Sequence, residues 1–146
     1  MEFKYASNPI VDADIDAVEE RFGFTFPADL REIYKTFNGG RPTRDRYIAD
    51  KTHEIVDAFL PIKHSSSPLS TIERSIERIK VQRQLLPDHL VPFAADPFGS
   101  YFCFSLRNDE FGAVYIFRMD RWQEPTHAKR LAGSVSEFLH RLVTKA

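Results

Sequence analysis

Two short helical patterns separated by a tight joint constrain the fold more than any other feature of the sequence. From Asp12 to Phe22, apolar residues recur every three or four positions, which is typical of a helix with one buried face. A second such pattern extends from Ala28 to Phe37 and ends at an Asn-Gly-Gly sequence. Gly23 suits the left-handed backbone that ends a helix, and Pro27 suits the start of the next one. Because the joint is short, these patterns predict a helical hairpin.

The middle of the chain alternates strand patterns with one further helix. Tyr47 and Ile48 are predicted to form a short strand, and residues 54–62 a longer one. The longer run mixes apolar and polar residues without strict alternation, which favours a bulge or cover on both faces. A third helix is predicted over Ser70 to Leu86, where Ser70 and Glu73 have the spacing of a capping box.

Three strands and a closing helix complete the pattern. The predicted strands are residues 90–95, 101–106 and 113–119. Both faces of the last two are apolar, so we expect them at the centre of a sheet. After a connecting stretch from Trp122 to Gly133, Ser134 and Glu137 form a second capping box. The closing helix that follows has an apolar face that extends to Val143.

The order of these elements predicts the fold class. Neighbouring strands are mostly joined by hairpin-length loops, which favours α+β over a doubly wound parallel sheet. We therefore expect a central, mostly antiparallel, twisted sheet with an N-terminal helical hairpin, a middle helix and a C-terminal helix. A length of 146 residues is typical of one domain, so residues 1–146 are interpreted as a single domain.

Composition narrows the environment and the partners. The net charge of −1 gives no general attraction to nucleic acid. The single cysteine, Cys103, excludes an internal disulfide and any multi-thiolate zinc site. The apolar stretches are too short to span a bilayer, and the N-terminus has no apolar leader. We expect a soluble cytoplasmic domain that contacts neither nucleic acid nor membrane.

No motif in the sequence indicates catalysis, a metal or a cofactor. Phosphate-binding and dinucleotide-binding glycine loops, paired zinc-binding histidines and a serine nucleophile elbow are all absent from the sequence. Asp96 is interpreted as a turn residue that binds backbone N–H groups, and Cys103 as a buried, unreactive thiol. The chain is therefore expected to be no enzyme and to need no cofactor. The alternative is a small enzyme with an unrecognised site around Asp96, His89 and Glu110.

Three blocks of the sequence resemble the SUKH superfamily of Smi/Knr-like domains. In the first block, residues 15–40, the matching residues are Glu19, Gly23, Phe26, Pro27, Asn38, Gly39 and Gly40. In the second, residues 90–117, they are Val91, Pro92, Phe93, Ala94, Asp96, Gly99, Phe102, Cys103, Val114 and Tyr115. The third block is the Ser-x-x-Phe-Leu ending within residues 134–142, whereas residues 41–86 have no sharp match. The matched residues also have structural explanations, as turn glycines, a helix-starting proline and core aromatics.

The resemblance implies an α+β immunity protein of the bacterial cytoplasm. Such proteins bind a cognate polymorphic or contact-dependent toxin, often a nuclease or deaminase, and block it without catalysis. The near-zero net charge departs from strongly acidic nuclease inhibitors. Because the family also has a fungal branch linked to cell-wall regulation, a regulatory protein-interaction module without a toxin remains the alternative.

A binding protein of this kind is expected to meet its partner through loops on a rigid scaffold. The loop richest in Arg and Tyr, which are enriched at interface hot spots, follows the second helix. Its candidate partner-binding residues are Arg41, Arg44, Asp45, Arg46 and Tyr47. Further candidates, for which core packing is the alternative, are Phe98, Tyr101 and Trp122. The first helix would offer an acidic face to a basic partner, with Asp12, Asp16 and Glu20.

Overall fold

The computed structural model describes residues 2–49, 51–65, 70–121 and 127–144. Its helices are α1 (Asp12–Phe22), α2 (Ala28–Thr36), α3 (Ile72–Ser75) and α4 (Val135–His140). Its strands are β1 (Phe3–Lys4), β2 (Arg41–Pro42), β3 (Arg46–Ala49), β4 (Thr52–Ile55), β5 (Ala58–Phe59), β6 (Leu90–Ala95), β7 (Tyr101–Ser105), β8 (Val114–Phe117), β9 (Ala128–Ala132) and β10 (Leu142–Val143). The α+β class predicted from the sequence is confirmed. None of the helices in the described ranges has the length and apolar character needed to cross a membrane.

The main sheet is antiparallel, with strand order β5-β6-β7-β8-β9. Every residue of β7 is buried, which confirms its expected central position. Pro92 lies where the register between β6 and β7 shifts, a place that suits a residue without an N–H to donate. The edge strand β9 lies within the stretch that the sequence predicted to be a connection. It was not predicted as a strand, because its two consecutive charged residues interrupt the alternation of apolar and polar residues.

Smaller sheets flank the main one. Strands β10, β3 and β4 form an antiparallel sheet, and β1 pairs with β2. The single strand predicted over residues 54–62 is wrong: its residues divide between β4 and β5, which belong to different sheets. The mixed polarity of this segment reflects the passage from one sheet to the next.

The helical hairpin forms as predicted. Gly23 adopts a left-handed φ of 72° and ends α1, and its N–H donates to the carbonyl of Glu19. The Glu19 carboxylate accepts the N–H of Phe26 at 2.7 Å and so fixes the joint. Asn38 binds both the N–H and the C=O of Ile62 through its side chain. The Asn38 contacts hold the end of the hairpin against the segment that follows β5.

The middle helix begins later and ends earlier than predicted. Thr71, not Ser70, is its N-cap, and the Thr71 hydroxyl accepts the N–H of Arg74 at 3.2 Å. Glu73 instead accepts the N–H of Lys63 at 2.8 Å. After Ser75 the helix continues as a π-helix over Ile76–Gln82. We call α3 and this π-helix together the middle helix.

The closing helix begins as predicted and ends early. Ser134 is its N-cap and accepts the N–H of Glu137 at 3.0 Å. The helix stops at His140, and residues 142–143 form β10, which pairs with β3. Phe138 of α4 packs against the rings of Phe93 and Phe102 in the main sheet, so the short helix is held by the core.

Candidate protein-interaction surface

Three loops that are distant in sequence meet at one end of the main sheet. The N–H of Asp57, between β4 and β5, donates to the carbonyl of Ala95 at the end of β6. The N–H of Val56 donates to the carbonyl of Asp45 in the loop before β3. Arg41 Nη2 lies 3.9 Å from Asp57 Oδ1. We call this end, with Arg41, Asp45, Asp57 and the β6–β7 turn, the sheet-end surface.

The β6–β7 turn presents an exposed aromatic ring on a fixed backbone. Asp96 Oδ1 accepts the N–H groups of Phe98 at 3.0 Å and Ser100 at 2.7 Å, as its turn interpretation predicted. The Asp96 N–H donates back to the carbonyl of Ser100, and Gly99 adopts a φ of 92° that disfavours other residues. Phe98 itself is 83% exposed. The core alternative for Phe98 is therefore wrong.

The arginines between α2 and β3 differ in their exposure and in their ion pairs. Among the described residues, Arg41 has a single long ion pair, with Asp57, and Arg44 is exposed. Arg46 is less exposed, and its Nε lies 3.4 Å from Asp45 Oδ1. Arg41 and Arg44 are consequently the cations of this loop most available to a partner.

Two of the candidate aromatics are buried, which corrects their assignment as contact residues. Tyr47 is 1% exposed, its ring stacks on Phe138, and its hydroxyl donates to the carbonyl of Leu131. Strand alternation places Tyr47 on the inner face of β3. Tyr101 is 8% exposed, and its hydroxyl accepts from Arg78 Nη2. Trp122 lies outside the described residues.

The acidic face of α1 is largely engaged within the molecule. Arg31 of α2 contacts Asp16 at 2.6 Å and both Asp12 and Glu19 at 3.3 Å. The hydrogen bond to Asp16 raises the pKa of Arg31 despite partial desolvation. This network braces the hairpin and reduces the negative field that α1 would offer to a basic partner.

Of the three residues in the enzyme alternative, the structure brings His89 and Glu110 near each other but leaves Asp96 apart. His89 and Asp96 lie beyond opposite ends of β6, roughly 20 Å apart at ~3.3 Å per residue. Glu110 accepts from the hydroxyl of Tyr115, whose ring contacts His89. Burial, followed by the nearby Arg107, lowers the pKa of His89. Within the described ranges, no three His, Cys, Asp or Glu side chains are grouped so as to hold a metal ion.

Sequence reasoning missed two features of this end of the molecule. Asp57 was read as part of a strand, although it links the Arg41 loop to β6. Arg118 Nη2 lies 2.8 Å from both carboxylate oxygens of Glu54 and joins β8 to β4. These partners are 16 and 64 residues apart, so no local pattern could have found them.

The geometry defines an α+β domain with an antiparallel main sheet, a helical hairpin packed on it, and exposed groups carried on turns and loops. Comparison with protein-family models matches residues 9–141 to the SMI1/KNR4 family (SUKH-1). The match covers most of the chain, and the protein therefore belongs to this family. The resemblance read from the three sequence blocks is confirmed. No curated protein matched the sequence.

Proposed function

We propose that this protein is a non-catalytic immunity protein that binds and neutralises a cognate bacterial toxin of the nuclease or deaminase class. Family membership supports a role of this kind. The main support for the position of the binding surface is Phe98, an aromatic residue that is 83% exposed although its turn is held by hydrogen bonds to Asp96. In this proposal, the toxin binds to the sheet-end surface.

Phe98 supports binding because its exposure has a thermodynamic cost. Burying a Phe side chain against a partner is worth about 1.5–3 kcal/mol. The turn is already ordered by Asp96, so little conformational entropy is lost when a partner covers it. The neighbouring Arg41 and Asp57 supply a polar rim of both signs around this apolar centre.

The test uses the full chain and the protein encoded directly upstream of its gene. We expect the two to copurify and the upstream protein to lose its toxic activity in the complex. Phe98→Ala should weaken the complex at least ~10-fold, the effect of losing a hot spot of ~1.4 kcal/mol or more. Phe111→Ala is the matched control, because Phe111 is also exposed but lies on the β7–β8 loop at the opposite end.

Each outcome separates one interpretation from another. Absence of both binding and inhibition would contradict the immunity proposal. Binding without inhibition would instead favour a regulatory interaction module. Equal losses of partner affinity for Phe98→Ala and Phe111→Ala would show that the protein binds its partner, but not through the sheet-end surface.

A further inference from the structure

A groove lined by cations and carboxylates, Asp14 and Lys63 among them, runs between α1 and the middle helix. Its larger part is a cavity of about 550 Å³ lined by Arg21 of α1 and by Arg74 and Arg78 of the middle helix, with Glu73 and Glu77 among them. A second cavity of about 280 Å³ shares Arg21 and Glu73 with the first and continues along α1. The groove is thus an elongated channel and not an isolated pit.

The carboxylates of the groove are only partly paired, and two of its arginines have no carboxylate partner among the described residues. Glu77 lies 3.6 Å from Arg21 Nη2, and Glu73 Oε2 accepts the backbone N–H of Lys63. Among the described residues, the buried Glu73 Oε1 has no hydrogen-bond partner. Within the part of the chain that the structure describes, Arg74 and Arg78 have no carboxylate at ion-pair distance. Arg78 donates to the neutral hydroxyl of Tyr101. Two guanidinium groups therefore face the groove without an anionic partner.

The spacing of these two arginines fits an extended chain. They are four residues apart on the middle helix, about one helical turn, and both line the same cavity. Alternate side chains of an extended peptide are about 6.6 Å apart on one face, from a rise of ~3.3 Å per residue. The groove also follows a π-helix, a backbone form that is frequent at functional sites.

The groove is continuous with the sheet-end surface. Arg78 contacts Tyr101, which begins β7 directly after the turn that carries Phe98. A partner that covers Phe98 therefore lies close in the chain to Tyr101, whose hydroxyl contacts the groove residue Arg78.

We infer that the groove binds an extended acidic segment of the partner protein, with alternate carboxylates on Arg74 and Arg78. This inference rests on the proposed function, because it names a chemistry for the protein partner. Glu73 and Glu77 would repel any carboxylate next to them, so the segment carries its carboxylates at Arg74 and Arg78 with neutral side chains between, unlike a uniform polyanion. The net charge of −1 also opposes a nucleic acid. Arginine binds carboxylates in a planar, bidentate manner that suits this role.

The test measures binding of a fluorescent peptide of alternating Glu and Ser to the full chain by anisotropy. We expect saturable binding that weakens with added salt and is absent for a Gly-Ser peptide of the same length. The double variant R74E/R78E should weaken it at least ~10-fold, since each bound carboxylate would meet a like charge. R74K/R78K should retain part of the affinity.

The control variant K4E/K51E makes the same change in net charge at two exposed lysines that do not line the groove. It should change peptide affinity less than twofold, and thermal unfolding of all variants should show intact folding. Equal losses in control and groove variants would overturn the inference. So would displacement of the peptide by inorganic phosphate at equal concentration, which would indicate a small-anion site.

The two proposals fail in different ways. If the upstream protein binds and the acidic peptide does not, only the groove inference is wrong. If the peptide binds through Arg74 and Arg78 but the upstream protein neither binds nor is inhibited, the toxin proposal is wrong, and the groove serves another acidic protein.

Discussion

Arg118 Nη2 lies 2.8 Å from both carboxylate oxygens of Glu54, so one guanidinium nitrogen joins the end of β8 to the inner face of β4. Glu54 is only 7% exposed, and Arg118 is the one cation at ion-pair distance from it among the described residues. The pair therefore couples the small sheet β10-β3-β4 to the main sheet at the sheet-end surface.

Removing one partner of this pair should destabilise the fold strongly. Arg118→Ala leaves the Glu54 carboxylate buried without a counter-charge, a change that typically costs about 3–5 kcal/mol. Urea unfolding followed by circular dichroism measures the loss. The control is Arg141→Ala, which breaks an exposed pair with Glu137 on α4 and should cost less than ~0.5 kcal/mol. Similar losses for the two variants would contradict a structural role for the Glu54 pair.

Tyr47 should contribute to stability and not to partner affinity. Tyr47→Phe removes the hydrogen bond to the Leu131 carbonyl and should cost about 1 kcal/mol, whereas Tyr47→Ala also removes the stacking on Phe138 and should cost about 3–5 kcal/mol. Partner affinity of the folded Tyr47→Phe variant should stay within twofold of wild type. Arg41→Ala, at an exposed position of the sheet-end surface, should show the opposite pattern, with unchanged stability and weaker binding. A binding defect in Tyr47→Phe at full folding would restore Tyr47 as a contact.

The helical hairpin and the central strands were predictable because local patterns determine them. The apolar stripes of α1 and α2, the left-handed Gly23 and the apolar run of β7 each specify their element without help from distant residues. The N-cap at Ser134 belongs to the same class, since its partner is three residues away. Such features depend on residues that are close in sequence, so a single sequence is enough to predict them.

Features that depend on pairing between distant segments were not predictable. The face that Tyr47 presents depends on the register of β3 with β4 and β10, and β10 lies almost a hundred residues further on. Strand β9 carries adjacent Lys129 and Arg130, and its position at the sheet edge is what makes those charges tolerable. The π-helix has no propensity signal of its own.

The candidate interface was partly predictable for the same reason. Arg41, Arg44 and Phe98 were candidates because of their residue types, and the turn signal of Asp96 and Gly99 was local. The grouping of Arg41 with Phe98 was not predictable, because Asp57 connects the two loops only once β5 has paired with β6. The groove was not predictable, because Arg74 and Arg78 line a cavity only once α1 packs opposite the middle helix.

Two glycines of the family motif should differ in their tolerance of a side chain. A Cβ at Gly40, with a φ of +106°, would lie 2.6 Å from the carbonyl oxygen of Lys4, so Gly40→Ala forces β1 away from β2. A Cβ at Gly23, with a φ of +72°, meets nothing within 4 Å, so Gly23→Ala has only the conformational cost of about 1–2 kcal/mol. We expect Gly40→Ala to lower the free energy of unfolding by at least ~2 kcal/mol more than Gly23→Ala. Equal midpoints in urea would show that the β1–β2 contact relaxes freely.

Because of Cys103, the free energy of unfolding should fall as the pH rises above the pKa of an ordinary cysteine thiol. Burial in β7 raises the pKa of Cys103, while in the unfolded chain the thiol titrates near ~8.5. The unfolded state therefore loses this proton first, and the stabilisation present below pH ~8.5 is lost as the pH rises, with a limiting slope of ~1.4 kcal/mol per pH unit. Urea unfolding at pH 7.5, ~8.5 and ~9.5 should show this decline, and Cys103→Ala should remove the part due to the thiol. A thiol reagent at pH ~8 should label Cys103 only after urea is added, and rapid labelling of the native protein would contradict its burial.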